Sequence, residues 1–394
     1  MTTQDIFLAL TRSVLRDRRV DEAILREWTP DRQKALFRLA KQQDLAPLIG
    51  EALTRAGLSS PGDPNDPFQN EMLMAIFRYE GMRHDLEQIG ALFDGETIPY
   101  IPLKGAVLRD LYPQPWLRTS CDIDVLIHEE DIPRASSLLQ EKAGYRYVAE
   151  TTHDVSLESP GRVHLELHHH TVEDGRVQNA AAVLENVWDH AIPDGEGCRY
   201  RLSAELVYVY LLAHTAKHLQ GGSCGVRPFL DLWIWRHTQP MEPSVLDPLL
   251  ETGGLTRFAD QAARLGDVWL DGAPPDGVTD RMREALFAGG VYGSTQTISV
   301  VQRQKRGGRV RFFLTRIFES RDNVSDYFPP VGKYPFLLPV GWVVRLVKLG
   351  TKRGVSQSWK ALHVGMQVTG EQIREHGRLM DDLGLNDSGS SGER

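Results

Sequence analysis

Two aspartates one residue apart, Asp122 and Asp124, stand inside the apolar run C-D-I-D-V-L-I from Cys121 to Ile127. Side chains alternate along an extended strand, so both carboxylates share one face while Ile123, Val125 and Ile127 share the other. Like charges held together on one face oppose each other's ionisation unless a cation intervenes. Hard oxygen donors in this arrangement suit Mg²⁺, which takes one or two carboxylates and fills its remaining positions with water and phosphate oxygens. The competing reading is an edge strand with solvated acids; the apolar neighbours favour a buried sheet.

The stretch R-V-H-L-E-L-H-H-H, Arg162 to His170, offers a third carboxylate in Glu166. Here Leu165 and Leu167 alternate with His164, Glu166 and His168, and His170 continues the polar face. If this strand lies beside the Asp122 strand, three carboxylates converge, a geometry that can hold two metal ions for an in-line phosphoryl displacement. A rival takes the histidines as ligands for zinc or another transition metal. No cysteine joins them, and the aspartate pair is then unexplained. Lys104-Gly105 precedes the aspartates, with a glycine that permits close backbone approach to a phosphate and a lysine that supplies a point charge. Arg118, four residues before Asp122, either contacts phosphate or pairs with an acid.

The elements that must position these groups follow from periodicity. Residues 4 to 57 read as helices from the recurrence of Ile6, Leu10, Val14 and later Leu36, Leu39, Leu45, Leu48 and Leu53. Ser59 to Pro67 is a Pro- and Gly-rich connection, after which a long helix is predicted from Gln69 to Phe93. A strand over Ile98 to Leu103, a short helical piece from Ala106 to Tyr112, the Asp122 strand, and a helix from Asp131 to Lys142 ending at Gly144 come next. Short strands are expected at Tyr145 to Val148, Val155 to Leu157 and Val163 to His168. From Ala204 the pattern is helical again, with Phe229 to Trp235 in a further helix.

The 394-residue chain has ordinary apolar and charged fractions and a net charge of -8, so it reads as a soluble globular protein. Neither a secretory leader nor a membrane-length apolar run is seen, and cytoplasmic residence is expected. Cys121, Cys198 and Cys224 are widely spaced and read as small buried hydrophobes. Residues 301–360 hold thirteen Lys and Arg against Glu319, Asp322 and Asp326, a local excess of +10 in an acidic protein. That points to RNA or another anionic partner, or to a solvated helix face. Within it, Arg309 to Phe318 reads as an RNA contact, a membrane-surface segment or a core-packing piece. The polar end, Asn386 to Arg394, is expected to be disordered.

L-K-G-A-V-L-R-D-L-Y, R-T-S-C-D-I-D-V-L-I, G-Y and L-E-L-H together resemble the uncharacterised nucleotidyltransferase family of the polymerase-β-like superfamily. L-L-A-H-T-A-K-H-L-Q, V-R-P-F-L-D-L-W-I-W and Y-P-F-L-L-P-V-G-W-V-V-R are similar to that family's helical half and C-terminal end. The resemblance implies an α+β fold, a small mixed-sheet nucleotidyltransferase core at 96–200. It is flanked by an N-terminal helical region at 1–95 and a C-terminal helical region with the basic segment at 201–375, with a disordered tail at 376–394. It also implies that Gly105 is the opening glycine, that Asp122 and Asp124 are the paired metal ligands and that Glu166 is the third acid. Ala106 departs from the family's small polar residue, which leaves Lys104 to serve the triphosphate, and Pro113 to Leu117 form an added loop.

In the helical half, His214, Lys217, His218, Arg227 and Asp231 match the family. His214 is read as core, Lys217, His218 and Arg227 as nucleotide contacts beside Lys104, Gly105 and Arg118, and Arg227 with Asp231 as an intrahelical pair. The resulting expectation is transfer of a nucleoside monophosphate from a nucleoside triphosphate, with Mg²⁺ or Mn²⁺, to an acceptor that the sequence does not identify. An inactive nucleotide-binding scaffold and a tRNA-modifying toxin-like enzyme are the alternatives.

Overall fold

The computed structural model describes residues 1–151, 153–171, 177–222, 224–290, 293–294, 297–301, 324, 330–349 and 367–386. Its N-terminal part consists of α1 (Thr3–Leu15), α2 (Glu22–Arg26), α3 (Pro30–Gln42), α4 (Ala46–Arg55) and the long α5 (Pro67–Gly95). Capping chemistry sets the boundaries. The Thr2 and Asp5 side chains form a reciprocal box at α1, and Asp66 accepts the Phe68 amide at the start of α5.

The strands β1 (Tyr100–Pro102), β2 (Asp122–Ile127), β3 (Arg146–Glu150), β4 (Asp154–Glu158) and β5 (His164–His168) form one sheet in the order β1-β2-β5-β4-β3. β2 and β5 run parallel, while the other neighbours are antiparallel, so the sheet is mixed. The parallel pairing needs a crossover, supplied by α7 (Ile132–Ala143) and the β3-β4 hairpin. Gly144, at φ 69°, closes α7 in the left-handed region.

One face of the sheet is apolar: Ile123, Val125, Ile127, Val155, Leu157, Leu165 and Leu167 pack beneath Ile89 and Phe93 of α5 and Ala135 and Leu139 of α7. The opposite face is left to the acids and histidines. The helical piece expected over Ala106 to Tyr112 divides into a single turn, α6 (Gly105–Leu108), and a 3₁₀ turn at Arg109–Leu111.

The later helices α8 (Ala181–Leu184), α9 (Ala204–Gly221), α10 (Arg227–Thr238), α11 (Pro243–Gly253), α12 (Thr256–Gly266) and α13 (Gly277–Gly289) return to the N-terminal ones. Both sets share one apolar core, in which Phe7 meets Phe287 edge-on at 5.5 Å. Arg12 donates to the Trp269 carbonyl at 2.8 Å, and Arg283 pairs with Asp5 at 2.6 Å.

Two expectations are corrected. Residues 376–386 are not a loose tail: helix Gly370–Asp382 has a Thr369 capping box, and Leu379, Met380, Leu383 and Leu385 are buried. Their apolar spacing suffices to dock the segment. Only Cys224 is a buried cysteine, since Cys121 is exposed and Cys198 half-buried. Arg309 to Phe318, most of the basic segment 301–360 and residues 387–394 lie outside the described residues.

A buried ion pair ties the sheet's loop to the helical half. Arg118 grips Asp231 of α10 through Nε to Oδ1 at 3.0 Å and Nη2 to Oδ2 at 2.9 Å, and Tyr112 donates to the same carboxylate at 2.8 Å. Asp231→Ala strands a buried guanidinium and a phenol, and should cost about 3–5 kcal/mol in urea unfolding. A loss below about 1 kcal/mol would show that the pair is dispensable.

The Asp5 carboxyl is pushed up by burial, but Arg283 and the Thr2 cap outweigh this and hold it at about 2. Its folded-state value is therefore below the unfolded one, and its contribution is present above about pH 4 and disappears as pH falls through 2. For this half-exposed pair we expect Asp5→Asn to cost no more than about 1 kcal/mol at neutral pH, and nothing at the acid end of a stability-pH series.

Candidate active site

The strand register decides the site. Asp122 stands opposite His164, and Asp124 opposite Glu166, across the parallel β2–β5 pair. Asp124, Glu166 and His168 bring one ligand-capable atom each to within 4.8 Å of one another. Asp122 stands outside that group of three but on the same face, where burial and then the Asp124 charge raise its carboxyl above the ordinary value. Its negative charge is the least compensated in the cluster.

Lys104 enters from the other side. Its backbone takes φ 42° and ψ -109°, a conformation that residues with a side chain rarely adopt, and its Nζ lies 2.7 Å from Asp124 Oδ1. His168 Nε2 reaches the same oxygen at 2.9 Å and Glu166 Oε2 at 3.3 Å. Burial acts to raise the Asp124 carboxyl, yet Lys104 and then His168 hold it far below the usual carboxylate range. Burial likewise acts against the Lys104 ammonium, but Asp124 raises it beyond the ordinary lysine value. His168 is raised too, because the bonds from Asp124 and Glu166 overcome its burial. The Lys104 ammonium, with His168 beside it, thus partly offsets three carboxylates.

Gly105 follows Lys104 where a side chain would be tight against its neighbours. A Cβ there would lie 3.0 Å from Arg118 Nη1, 3.1 Å from Arg109 Nη2 and 3.2 Å from Ser120 Oγ. Arg118 Nη1 is buried without a hydrogen-bond partner, although the other two nitrogens of that guanidinium hold Asp231. Arg118 therefore makes the acid pair, one of the two roles the sequence leaves open, and still turns one donor toward Gly105. Arg109 donates to Ser120 Oγ, and burial followed by Arg118 lowers its guanidinium to about 10.

These groups floor a cleft of about 440 Å³ whose far wall is α9 and the start of α10. Lys217, His218 and Arg227 all line it, together with Tyr210. His214 does too, contrary to its reading as a core residue; it is half-buried, and its ring meets His218 edge-on at 4.4 Å. Burial, Lys104 and His218 drive its imidazole well below the usual value, so it is a neutral wall. The expected Arg227–Asp231 pair does not form. Arg227, at the first turn of α10, reaches Asp44 Oδ2 at 2.9 Å and the Thr119 carbonyl at 2.5 Å, while Asp231 faces Arg118.

Tyr210 and Asp44 are site residues that the sequence does not single out, and His168 is one it offers only as a transition-metal ligand on the polar face. His168 was signalled by its place on the polar face two residues after Glu166; nothing local points to Tyr210 or Asp44.

The donor set fits a hard divalent cation. Carboxylates from two adjacent strands converge, one of them under-compensated, with open volume beside them for water and phosphate. Among the described residues the histidines of α9 do not join a metal-ligating group of their own.

A family model described as uncharacterised nucleotidyltransferase matches residues 29–271, more than half of the 394-residue chain, and the chain belongs to that family. It is a transferase of nucleotidyl groups. A solved structure, described as the solution structure of the antibiotic-resistance factor ANT(2'')-Ia with substrate-regulated conformation dynamics, is similar at 14% identity with a TM-score of 0.31. The similarity covers 42% of this chain and 86% of that one. No curated protein matches.

Because the Gly105 gap is closed by two guanidinium groups rather than by backbone, Gly105→Ala should fold with little loss yet bind nucleoside triphosphate about tenfold more weakly. Calorimetric titration at equal thermal midpoints is the check; parent-like affinity would remove Gly105 from the phosphate side of the cleft.

Proposed function

We propose that this member of a nucleotidyltransferase family moves a nucleoside monophosphate from a nucleoside triphosphate to an acceptor, with a divalent cation at Asp122, Asp124 and Glu166. The observation that carries the reading is the parallel β2–β5 register, which gathers the acids on one polar face against a cation-lined wall. Mg²⁺ or Mn²⁺ bound there would polarise the reacting phosphate and lower the acceptor's pKa.

The chain's own residues supply the rest. Lys104, Arg227, Lys217 and His218 neutralise the polyphosphate, and the unpartnered Nη1 of Arg118 stands where Gly105 leaves room for an oxygen. Glu166 is the acceptor's proton partner, with His168 2.9 Å from Asp124 and 3.3 Å from Glu166 fixing the orientation of both carboxylates. Positioning and charge neutralisation carry most of such a reaction.

A second reading rests on Lys104. Its ammonium occupies the oxygen of Asp124 that a cation would use, which favours a nucleotide-binding protein with slow turnover.

With α-labelled nucleoside triphosphates and Mg²⁺ or Mn²⁺, Asp124→Asn should lower label transfer at least a hundredfold, about 3 kcal/mol of barrier. Glu166→Gln should lower it about tenfold or more. Transfer by Asp124→Asn at the parent's rate would contradict the proposed chemistry. Calorimetric binding of nucleotide without pyrophosphate release would select the second reading.

A further inference from the structure

Because β2 and β5 run parallel, both chains leave the sheet at the same edge. Leu126 is registered with His168, so the 3₁₀ turn Glu129–Asp131 that follows β2 comes beside His169 and His170, which follow β5. There Glu129, His169 and His170 bring one ligand-capable atom each to within 4.8 Å of one another. None of the three belongs to the more buried group of Asp124, Glu166 and His168.

The other histidines at this edge are engaged elsewhere. The His128 ring stacks on Trp188 at 4.0 Å, His153 pairs with Asp154 at 2.9 Å, and His168 is held by Asp124. His169 differs: its Nδ1 is buried without a hydrogen-bond partner among the described residues, a costly state for an imidazole nitrogen. Burial, and then the neighbouring His170, lower this imidazole below its ordinary value, which keeps a lone pair available at neutral pH. The His169 and His170 rings lie 4.7 Å apart and are tilted by 60° rather than stacked. A tetrahedral ion with bonds of about 2.0–2.2 Å holds its ligand atoms about 3.3 Å apart. Glu129 and His170 are exposed, so rotation of side chains that the core does not confine can close the difference.

We propose that Glu129, His169 and His170 form a second metal site at the rim of the cleft, for a transition cation of the Zn²⁺ class with solvent as its fourth ligand. Two imidazoles and one carboxylate suit such an ion, whereas the all-oxygen set of Asp122, Asp124 and Glu166 suits Mg²⁺ or Mn²⁺. The ion ties together the ends of the two strands whose pairing builds the cleft. It stabilises the folded chain, because the unfolded one has no preformed site. His170 also lines the cleft, so the ion's charge borders it. The run His168-His169-His170 is thereby divided: the first ring orients two carboxylates and the next two bind metal. The inference is independent of the chemistry proposed for the acids.

Calorimetric titration of Zn²⁺ into the full chain, carrying no histidine tag, tests the proposal, with the thermal midpoint as a second readout. The Asp124→Asn chain, in which the acid cluster is broken, should still bind one Zn²⁺ with a Kd of about 10 μM or tighter and melt at a higher temperature with the ion than without it. Glu166→Gln serves as the background if Asp124→Asn unfolds. Adding Glu129→Gln and His170→Ala, both at exposed positions, should weaken that binding about tenfold or more and remove the ion's effect on the midpoint. Undiminished Zn²⁺ binding after these two substitutions overturns the proposal. So does loss of binding when the acid cluster alone is broken, which assigns the ion to the cleft floor. Binding only at about millimolar Zn²⁺ overturns it as well.

Discussion

Everything in the site depends on one parallel strand pairing. With Asp124 opposite Glu166, carboxylates from two distant segments are forced to within a few ångströms on a face that is otherwise a sheet surface. The apolar side chains on the other face fix the register, because a slip of one residue would turn Leu165 and Leu167 toward the cleft and Glu166 into the core. Core packing therefore selects the active arrangement. Lys104 and His168 are the response to the resulting charge, and both converge on a single oxygen of Asp124.

The helices act as the cleft's other jaw. The N-terminal and C-terminal sets form one apolar body around Phe7, Trp269 and Phe287, and that body holds α9 and α10 against the sheet. Arg118–Asp231 and Arg227–Asp44 are the polar ties between the two jaws, each made by a guanidinium beside the cleft. In both, a cation is anchored by an acid on another element while a nitrogen, Arg118 Nη1 or Arg227 Nε, is left buried without a partner. Such donors are costly in an empty protein and useful beside a polyphosphate.

Much of this was legible from alternation alone. The period-two runs at Asp122 to Ile127 and His164 to His168 declared which residues share a face, and Gly144 marked the end of the intervening helix. That the two strands are neighbours, and parallel, was a conditional expectation, since pairing depends on a crossover that no local pattern encodes. The Lys104–Asp124 contact spans twenty residues and needs a backbone conformation that lysine seldom takes, so spacing did not reveal it. The i,i+4 rule misjudged Arg227 and Asp231 because their tertiary partners, Asp44 and Arg118, offer better geometry than each other. His214 looked like core because its helix neighbours are apolar, yet the cleft opens at that turn.

The central claim is that the acids of β2 and β5 hold a divalent cation against a nucleotide. Crystals grown with Mn²⁺ and a non-hydrolysable nucleoside triphosphate analogue test it most directly through the anomalous signal of manganese. The account predicts a peak coordinated by Asp122, Asp124 and Glu166, with Lys104 moved off Asp124 Oδ1 to the phosphates. Nucleotide bound in the cleft with Lys104 still on Asp124, and no manganese at these carboxylates, would contradict it.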